Sequence, residues 1–170
     1  SKSDENNFKY YSNDAGILSI MYHRFNENKY PSTNIKMDIF KKHMEIIKSS
    51  NYNFNNPNKL KQLFDSPKLR KEILITIDDA FMSFYDYAWP FLKKNKIPFI
   101  LFVSTEPVGK RGYMSWDQIR EIENESFTLI GHHSHSHDYL IDETNENFVS
   151  DIEKANKIFL QELGYVPSLF

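Results

Sequence analysis

Apolar residues follow two different periods along this chain. Short runs of consecutive apolar residues, typical of strands buried in a parallel sheet, predict four strands at residues 17–22, 73–77, 97–103 and 127–131. Between these runs, apolar residues recur at three- and four-residue steps and predict amphipathic helices around residues 37–47, 84–95, 116–122 and 148–159. Strands and helices that alternate in this way predict an α/β domain with parallel strands, as an open sheet or a barrel.

Several smaller features set the expected boundaries of these elements. Ser32 or Thr33 is expected to cap the first helix, and Gly164 the last. Residues 52–54 predict a brief strand, and Pro57 begins a short helix that continues through Leu60, Leu63 and Phe64. The first residues are polar and rich in asparagine, so we expect a flexible leader over 1–14 and a folded domain over 15–170.

Polar residues with catalytic potential follow three of the predicted strands. The first strand leads into His23, the second into Asp78 and Asp79, and the fourth into His132. The carboxyl ends of parallel strands lie along one rim of a sheet or barrel. We therefore expect these side chains to lie close together.

Four histidines fall within residues 132–137, and two of them, His133 and His137, are four positions apart. A helical or tight-turn backbone would point both imidazoles to one side. A catalytic metal needs about three protein ligands and an open position, and a carboxylate is a common third ligand. Asp79 is the best candidate for that ligand. The alternative is a polar loop whose histidines bond to neighbouring backbone, but short histidine tracts often bind metal.

The acidic pair is ambiguous by itself. Asp78 and Asp79 would also suit a helix N-terminus, where an acidic side chain caps the helix and favours its dipole. Consecutive side chains point in different directions, so one carboxylate can bind an ion while its neighbour faces the attacking water. That arrangement supplies a general base.

Composition narrows the possible classes of protein. The chain has 170 residues, enough for one domain with a substantial core, and 40% of them are hydrophobic. The formal charge is only -2 and the basic residues are scattered, which argues against a nucleic-acid partner. There is no cysteine, so a metal must bind through His, Asp or Glu. No apolar run approaches the ~20 residues of a membrane span.

The acidic pair and the histidine cluster together resemble a known family. Residues 76–79, Thr-Ile-Asp-Asp, and residues 133–137, His-Ser-His-Ser-His, are similar to the first two motifs of the polysaccharide deacetylases, the carbohydrate esterase family 4 or NodB-homology group. Residues 20–24, Ile-Met-Tyr-His-Arg, also resemble the first strand of members that act on poly-N-acetylglucosamine. The resemblance covers residues 16–170 and implies a distorted (β/α) barrel. The family's later motifs begin about where this chain ends, so we expect a barrel that is incomplete at its C-terminal end and has an exposed edge.

The resemblance also implies roles for individual residues. Asp78 would be the catalytic base, while Asp79, His133 and His137 would hold a divalent ion, most often zinc. Ser134 would steady the loop. The implied activity is metal-dependent removal of N-acetyl groups from a cell-envelope polysaccharide, outside the cytoplasm.

Some assignments stay open at this level. His23 is either a second catalytic residue or a strand-end histidine bonded to a neighbour, and the general acid is not assignable, with His23, His132 and His135 as possible substitutes. Trp89, Tyr113 and Trp116 would either stack on sugar rings or pack in the core. A catalytically silent metal- or glycan-binding module, and hydrolysis of another non-peptide carbon-nitrogen bond, are the alternative functions.

Overall fold

Five parallel strands form one sheet in the computed structural model, which describes residues 16–60, 62, 71–137 and 144–170. The strands of this sheet are β1 (Gly16–Tyr22), β4 (Asn53–Phe54), β5 (Lys71–Asp78), β6 (Phe99–Val103) and β7 (Thr128–His132). β1 pairs along one side of β5, while β4 and then β6 pair along the other side, with β7 beyond β6. A separate parallel pair joins β2 (Arg24–Phe25) to β3 (Asn34–Ile35). The predicted α/β class with parallel strands is confirmed.

The helices connect the strands and cover the sheet. They are α1 (Met37–Ser49), α2 (Trp89–Asn95), α3 (Trp116–Glu123) and α4 (Asn145–Leu163), with a 3-10 turn at Pro57–Lys59 and a π-helical turn at Phe84–Ala88 that leads into α2. α3 begins with a capping box between Ser115 and Gln118. Gly164 ends α4 at φ 81°, as its predicted cap. Among these helices none is both long and apolar enough to cross a membrane.

Two predicted boundaries lie outside the described residues and one is wrong. The leader over 1–14 and the helical positions Leu63 and Phe64 fall where the structure describes nothing. The first helix does not start at Ser32 or Thr33. It starts at Met37, because Asn34 and Ile35 pair with β2 before the chain turns into α1.

The first strand is in the predicted place but is not buried. β1 lies at the outer edge of the sheet, where Leu18 and Met21 are 55% and 59% exposed, and only Tyr22 at its end is buried. In the described part of the chain, no strand pairs with the outer side of β1.

The other strands are held by close packing between neighbours. β5 and β6 are largely buried, and an aromatic cluster of Phe25, Phe40, Phe84 and Phe99 packs beside them in tilted and edge-on contacts. Gly131 in β7 lies against the Phe102 ring of β6 so closely that an added Cβ would collide with it. Because all these strands are parallel, the residues that follow β1, β5, β6 and β7 lie at one rim.

Candidate metal centre

The acidic pair sits where β5 ends and the backbone reverses. Asp78 is the last residue of the strand, and Asp79 and Ala80 then adopt left-handed conformations at φ 74° and 53°. Non-glycine residues rarely adopt this conformation, and such strain concentrates at functional sites. The Asp79 N–H donates to the Phe102 carbonyl of β6 at 3.0 Å, which fixes the turn. The turn brings two consecutive carboxylates to the same rim.

Asp79, His133 and His137 converge at this rim. Oδ1 of Asp79 lies 3.4 Å from Nε2 of His133 and 3.0 Å from Nε2 of His137, and one ligand atom from each residue lies within 4.8 Å of the other two. Zinc ligands at about 2.0–2.1 Å and tetrahedral angles are roughly 3.3 Å apart, close to the observed separations. These are the three residues predicted from the sequence as ligands, and the structure brings them together.

A buried oxygen of the Asp79 carboxylate without a hydrogen-bond partner in the described part of the chain is evidence that these residues can bind an ion. Its Oδ1 atom is buried and has no hydrogen-bond partner among the described residues, although two imidazole nitrogens lie nearby. Buried polar atoms are almost always satisfied in folded proteins. An ion bound between this oxygen and the two nitrogens would satisfy it, so the residues present fit a divalent metal.

Burial sets the protonation of the groups around the centre. It lowers the pKa of His133, although Asp78 and Asp79 act in the opposite direction. A neutral imidazole is the form that binds metal. Burial also raises the pKa of Asp78, an effect that His133 and His23 partly offset. The raised pKa makes Asp78 a stronger base than an exposed aspartate.

His23 follows β1 and lies beside the acidic pair. Its Nε2 atom is 3.6 Å from Oδ2 of Asp78, and both residues are at least partly buried. His23 therefore contacts the candidate base and does not belong to the group of three candidate ligands. This placement is compatible with either role that the sequence left open, namely a catalytic histidine or a strand-end histidine bonded to a neighbour.

The histidine loop, residues 133–137, is irregular and not helical. Ser134 and His137 have left-handed φ angles of 67° and 61°, and the rings of His133 and His137 lie 4.9 Å apart. The predicted proximity of the two imidazoles is therefore achieved by two backbone reversals, and the helical alternative is wrong.

The two remaining histidines of the cluster do not belong to the group of three converging side chains and bond to other residues. His135 bonds through Nδ1 to the Thr105 hydroxyl at 2.7 Å. His132 is buried, accepts a hydrogen bond from the Ser134 N–H through Nδ1, and pairs through Nε2 with Asn156 at 3.0 Å. Both rings are thus occupied in holding the loop, which makes them poor substitutes for a general acid.

A cleft of about 640 Å³ opens beside Asp79 and His137. One wall is a stack in which the Arg24 guanidinium lies over Phe81 at 3.7 Å and over Tyr30 at 4.3 Å. Tyr113 packs on Phe81 at 5.0 Å. Other residues that line the cleft include His23, Glu106 and Lys110. Of the three aromatic residues considered from sequence, only Tyr113 lines this cleft, since Trp89 is buried and Trp116 packs on Phe159.

Most residues of this wall were not predicted from the sequence. Arg24 was visible as the residue after a strand-end histidine, but the two-residue strands β2 and β3 that carry Arg24 and lead to Tyr30 have no detectable period. Ser104 and Thr105 follow β6 directly, so the rule that located Asp79 and His133 also applied to them.

A family model and a known protein that match this chain both carry the description polysaccharide deacetylase. The family model described as "Polysaccharide deacetylase" matches residues 65–170. The putative polysaccharide deacetylase YxkH of Bacillus subtilis (strain 168) is 24% identical over 120 residues, which are 69% of this chain and 42% of that protein. This chain thus spans less than half the length of that relative.

Solved structures share the fold. The structure of IcaB from Ammonifex degensii has a TM-score of 0.79 at 24% identity, covering 90% of this chain and 72% of that one. The Streptococcus pyogenes deacetylase PplD in complex with acetate has a TM-score of 0.75 at 20% identity, covering 89% and 70%. The expected fold type is confirmed by these matches.

Proposed function

Because this chain belongs to the polysaccharide deacetylase family, we propose that it removes N-acetyl groups from a polysaccharide at a zinc ion held by Asp79, His133 and His137. The family comprises metal-dependent carbohydrate deacetylases. One observation carries the proposal, namely the convergence of a buried carboxylate oxygen and two imidazole nitrogens beside an open cleft.

The donor set favours zinc over magnesium or calcium. Two imidazoles and one carboxylate are a common set for catalytic zinc, whereas magnesium and calcium prefer oxygen ligands. When bound, the ion would polarise the amide carbonyl and lower the pKa of a water to near neutrality.

Asp78 is the proposed general base. Its carboxylate lies at the same rim, does not belong to the three converging ligands, and has a pKa raised by burial. Asp78 would take a proton from the attacking water at a carboxylate oxygen, and general base catalysis of this kind contributes about 10²–10⁴-fold to a rate. His23, 3.6 Å away, favours the ionised form of Asp78 and is its proposed catalytic partner.

The cleft supports a sugar substrate. Tyr113 offers an aromatic ring next to the centre, and Glu106 and Lys110 supply polar groups that can bond to hydroxyls. The likeness of residues 20–24 to members acting on poly-N-acetylglucosamine favours an N-acetylglucosamine polymer of the cell envelope as substrate, and hence action outside the cytoplasm.

An acetate-release assay on N-acetylglucosamine oligomers tests this function. The zinc-loaded protein should release acetate, Asp78→Asn should release almost none, and the exposed-site control Asp86→Asn should behave as wild type. Zinc uptake without release from any oligomer would reject the enzyme and favour a binding module. Release only from small N-acetylated compounds would reject the polysaccharide and favour another non-peptide carbon-nitrogen bond.

A further inference from the structure

A carboxylate from helix α4 contacts the histidine loop. Asp151 accepts a hydrogen bond from the His135 N–H through Oδ2 at 2.9 Å and another from the Ser136 N–H through Oδ1 at 3.0 Å. The Ser136 hydroxyl donates a third. One side chain therefore collects three donors from two consecutive residues, and these residues lie between His133 and His137.

Asp151 makes these bonds as a carboxylate. Its partial burial alone would raise the pKa of the side chain, but the bonds from His135 and Ser136 outweigh burial and hold the pKa below its usual range. Hydrogen bonds to an ionised acceptor are stronger than those between neutral groups. The contact with the loop is therefore charge-assisted.

The loop is also bound to the segment that continues β6. The Ser104 hydroxyl donates to the His133 carbonyl at 2.6 Å, the Thr105 N–H donates to the Ser134 carbonyl at 3.1 Å, and the Glu106 N–H donates to the His135 carbonyl at 3.0 Å. Three loop carbonyls thus bond to this segment, and the amides of His135 and Ser136 bond to α4. The loop is held by two separate elements.

This fixation matters because the loop backbone is strained. Ser134 and His137 both adopt left-handed conformations, which side-chain-bearing residues maintain only when surrounding contacts enforce them. Without Asp151, the amides of His135 and Ser136 would lose their acceptor, and the backbone between the two imidazoles could relax. The separation of the two Nε2 atoms would then no longer be defined.

From this geometry we propose that Asp151 is a positioning residue that sets the spacing of His133 and His137 for a divalent ion, without contacting the ion or the substrate. The inference rests on the proposed metal centre. A supporting contact lies further along α4, where Asn156 pairs with His132 directly before the loop.

Zinc affinity, measured by competition with a chromophoric chelator, tests this role without depending on catalysis. Asp151→Asn keeps the shape of the side chain but removes its charge and replaces one acceptor with a donor. Loss of a partner that orients metal ligands typically weakens metal binding on the order of 10–100-fold. We expect that loss for Asp151→Asn, while the control Glu153→Gln, at an exposed position on the same helix, keeps wild-type affinity. The far-UV circular dichroism of both metal-free variants should match wild type.

The outcomes separate this inference from the proposed function. Wild-type affinity in folded Asp151→Asn would overturn the positioning role and leave the metal centre intact. No zinc binding by the wild-type protein would overturn both. If Asp151→Asn fails to fold, Asp151→Glu provides the decision, because it keeps the charge but lengthens the side chain and so displaces the carboxylate from the amides of His135 and Ser136. A weaker zinc affinity in that variant supports the role, and an unchanged affinity rejects it.

Discussion

Nε2 of His137 lies 3.0 Å from Oδ1 of Asp79, yet that buried oxygen accepts no hydrogen bond within the described residues. A buried polar atom without a partner costs free energy in the folded state. The arrangement is therefore better suited to the metal-bound protein than to the metal-free one. Zinc binding should therefore be measurable as an increase in the stability of the folded protein.

Zinc should raise the unfolding temperature of the wild-type protein and not that of Asp79→Asn. A free zinc concentration of 100 times the Kd adds about 2.7 kcal/mol, which for a domain of this size is roughly 5–10 °C. Asparagine tolerates left-handed backbone, so Asp79→Asn removes the ligand with little added strain at φ 74°. Differential scanning fluorimetry with zinc and with EDTA measures the shift. A full shift in Asp79→Asn, or none in the Asp86→Asn control, would contradict the assignment.

Asp78→Asn should separate metal binding from catalysis. Asp78 is not among the three converging ligands, so this variant should keep the zinc-induced rise in unfolding temperature. Its rate of acetate release should fall by about 10²–10⁴, the usual contribution of a general base. Fluorimetry and the acetate assay on the same preparation measure both quantities. Equal loss of zinc binding and activity would instead place Asp78 among the ligands.

The stability of the metal-free protein should depend on pH through Asp78. Burial raises its pKa in the folded state above the unfolded value of about 3.9. The folded state therefore binds the Asp78 proton more tightly than the unfolded state does. Binding of this proton stabilises the folded protein at low pH, and this stabilisation is lost as pH rises from the unfolded-state pKa through the higher folded-state pKa. The asparagine of Asp78→Asn does not titrate. The unfolding temperature of this variant minus that of wild type should therefore increase from about pH 4 toward neutrality. Scans in EDTA across this range measure the difference, and one that shrinks with pH would be inconsistent with a raised pKa.

Gly131→Ala should destabilise the sheet beneath the histidine loop. The new Cβ would collide with the Phe102 ring of the adjacent strand, and overpacking of this kind costs about 1–3 kcal/mol. Urea unfolding measures the cost. The collision explanation requires Gly131→Ala to cost less in a Phe102→Ala background, where the ring is absent. The same cost in both backgrounds would refute it.

The sequence located the candidate site because parallel strands end at one rim. Asp79 and His133 follow different buried strands, and this placement alone predicted that they meet. The spacing of His133 and His137 also predicted their proximity, although the left-handed angles at Ser134 and His137 that produce it have no sequence signature. The predicted proximity of Asp79, His133 and His137 agrees with the structure. The backbone conformation of residues 133–137 could not have been inferred from the sequence.

Other features depend on tertiary pairing and could not be predicted. The run from Ile17 to Tyr22 looks like a buried strand, but its exposure depends on how many neighbours pair with it, and the described sheet covers one side only. Asp151 is an ordinary polar position within an amphipathic helix until α4 is placed against the loop. Its contact with His135 joins elements whose relative positions no local pattern encodes.

Asp79 is separated along the chain from His133 and His137 by the π-helical turn, α2, β6, α3 and β7. A chain whose sheet has not assembled therefore has no means of presenting three donors at once, and the two histidines alone form a much poorer chelate. Metal acquisition should follow folding and not guide it. The zinc content of a purified, zinc-saturated sample would then measure the fraction of molecules that are folded.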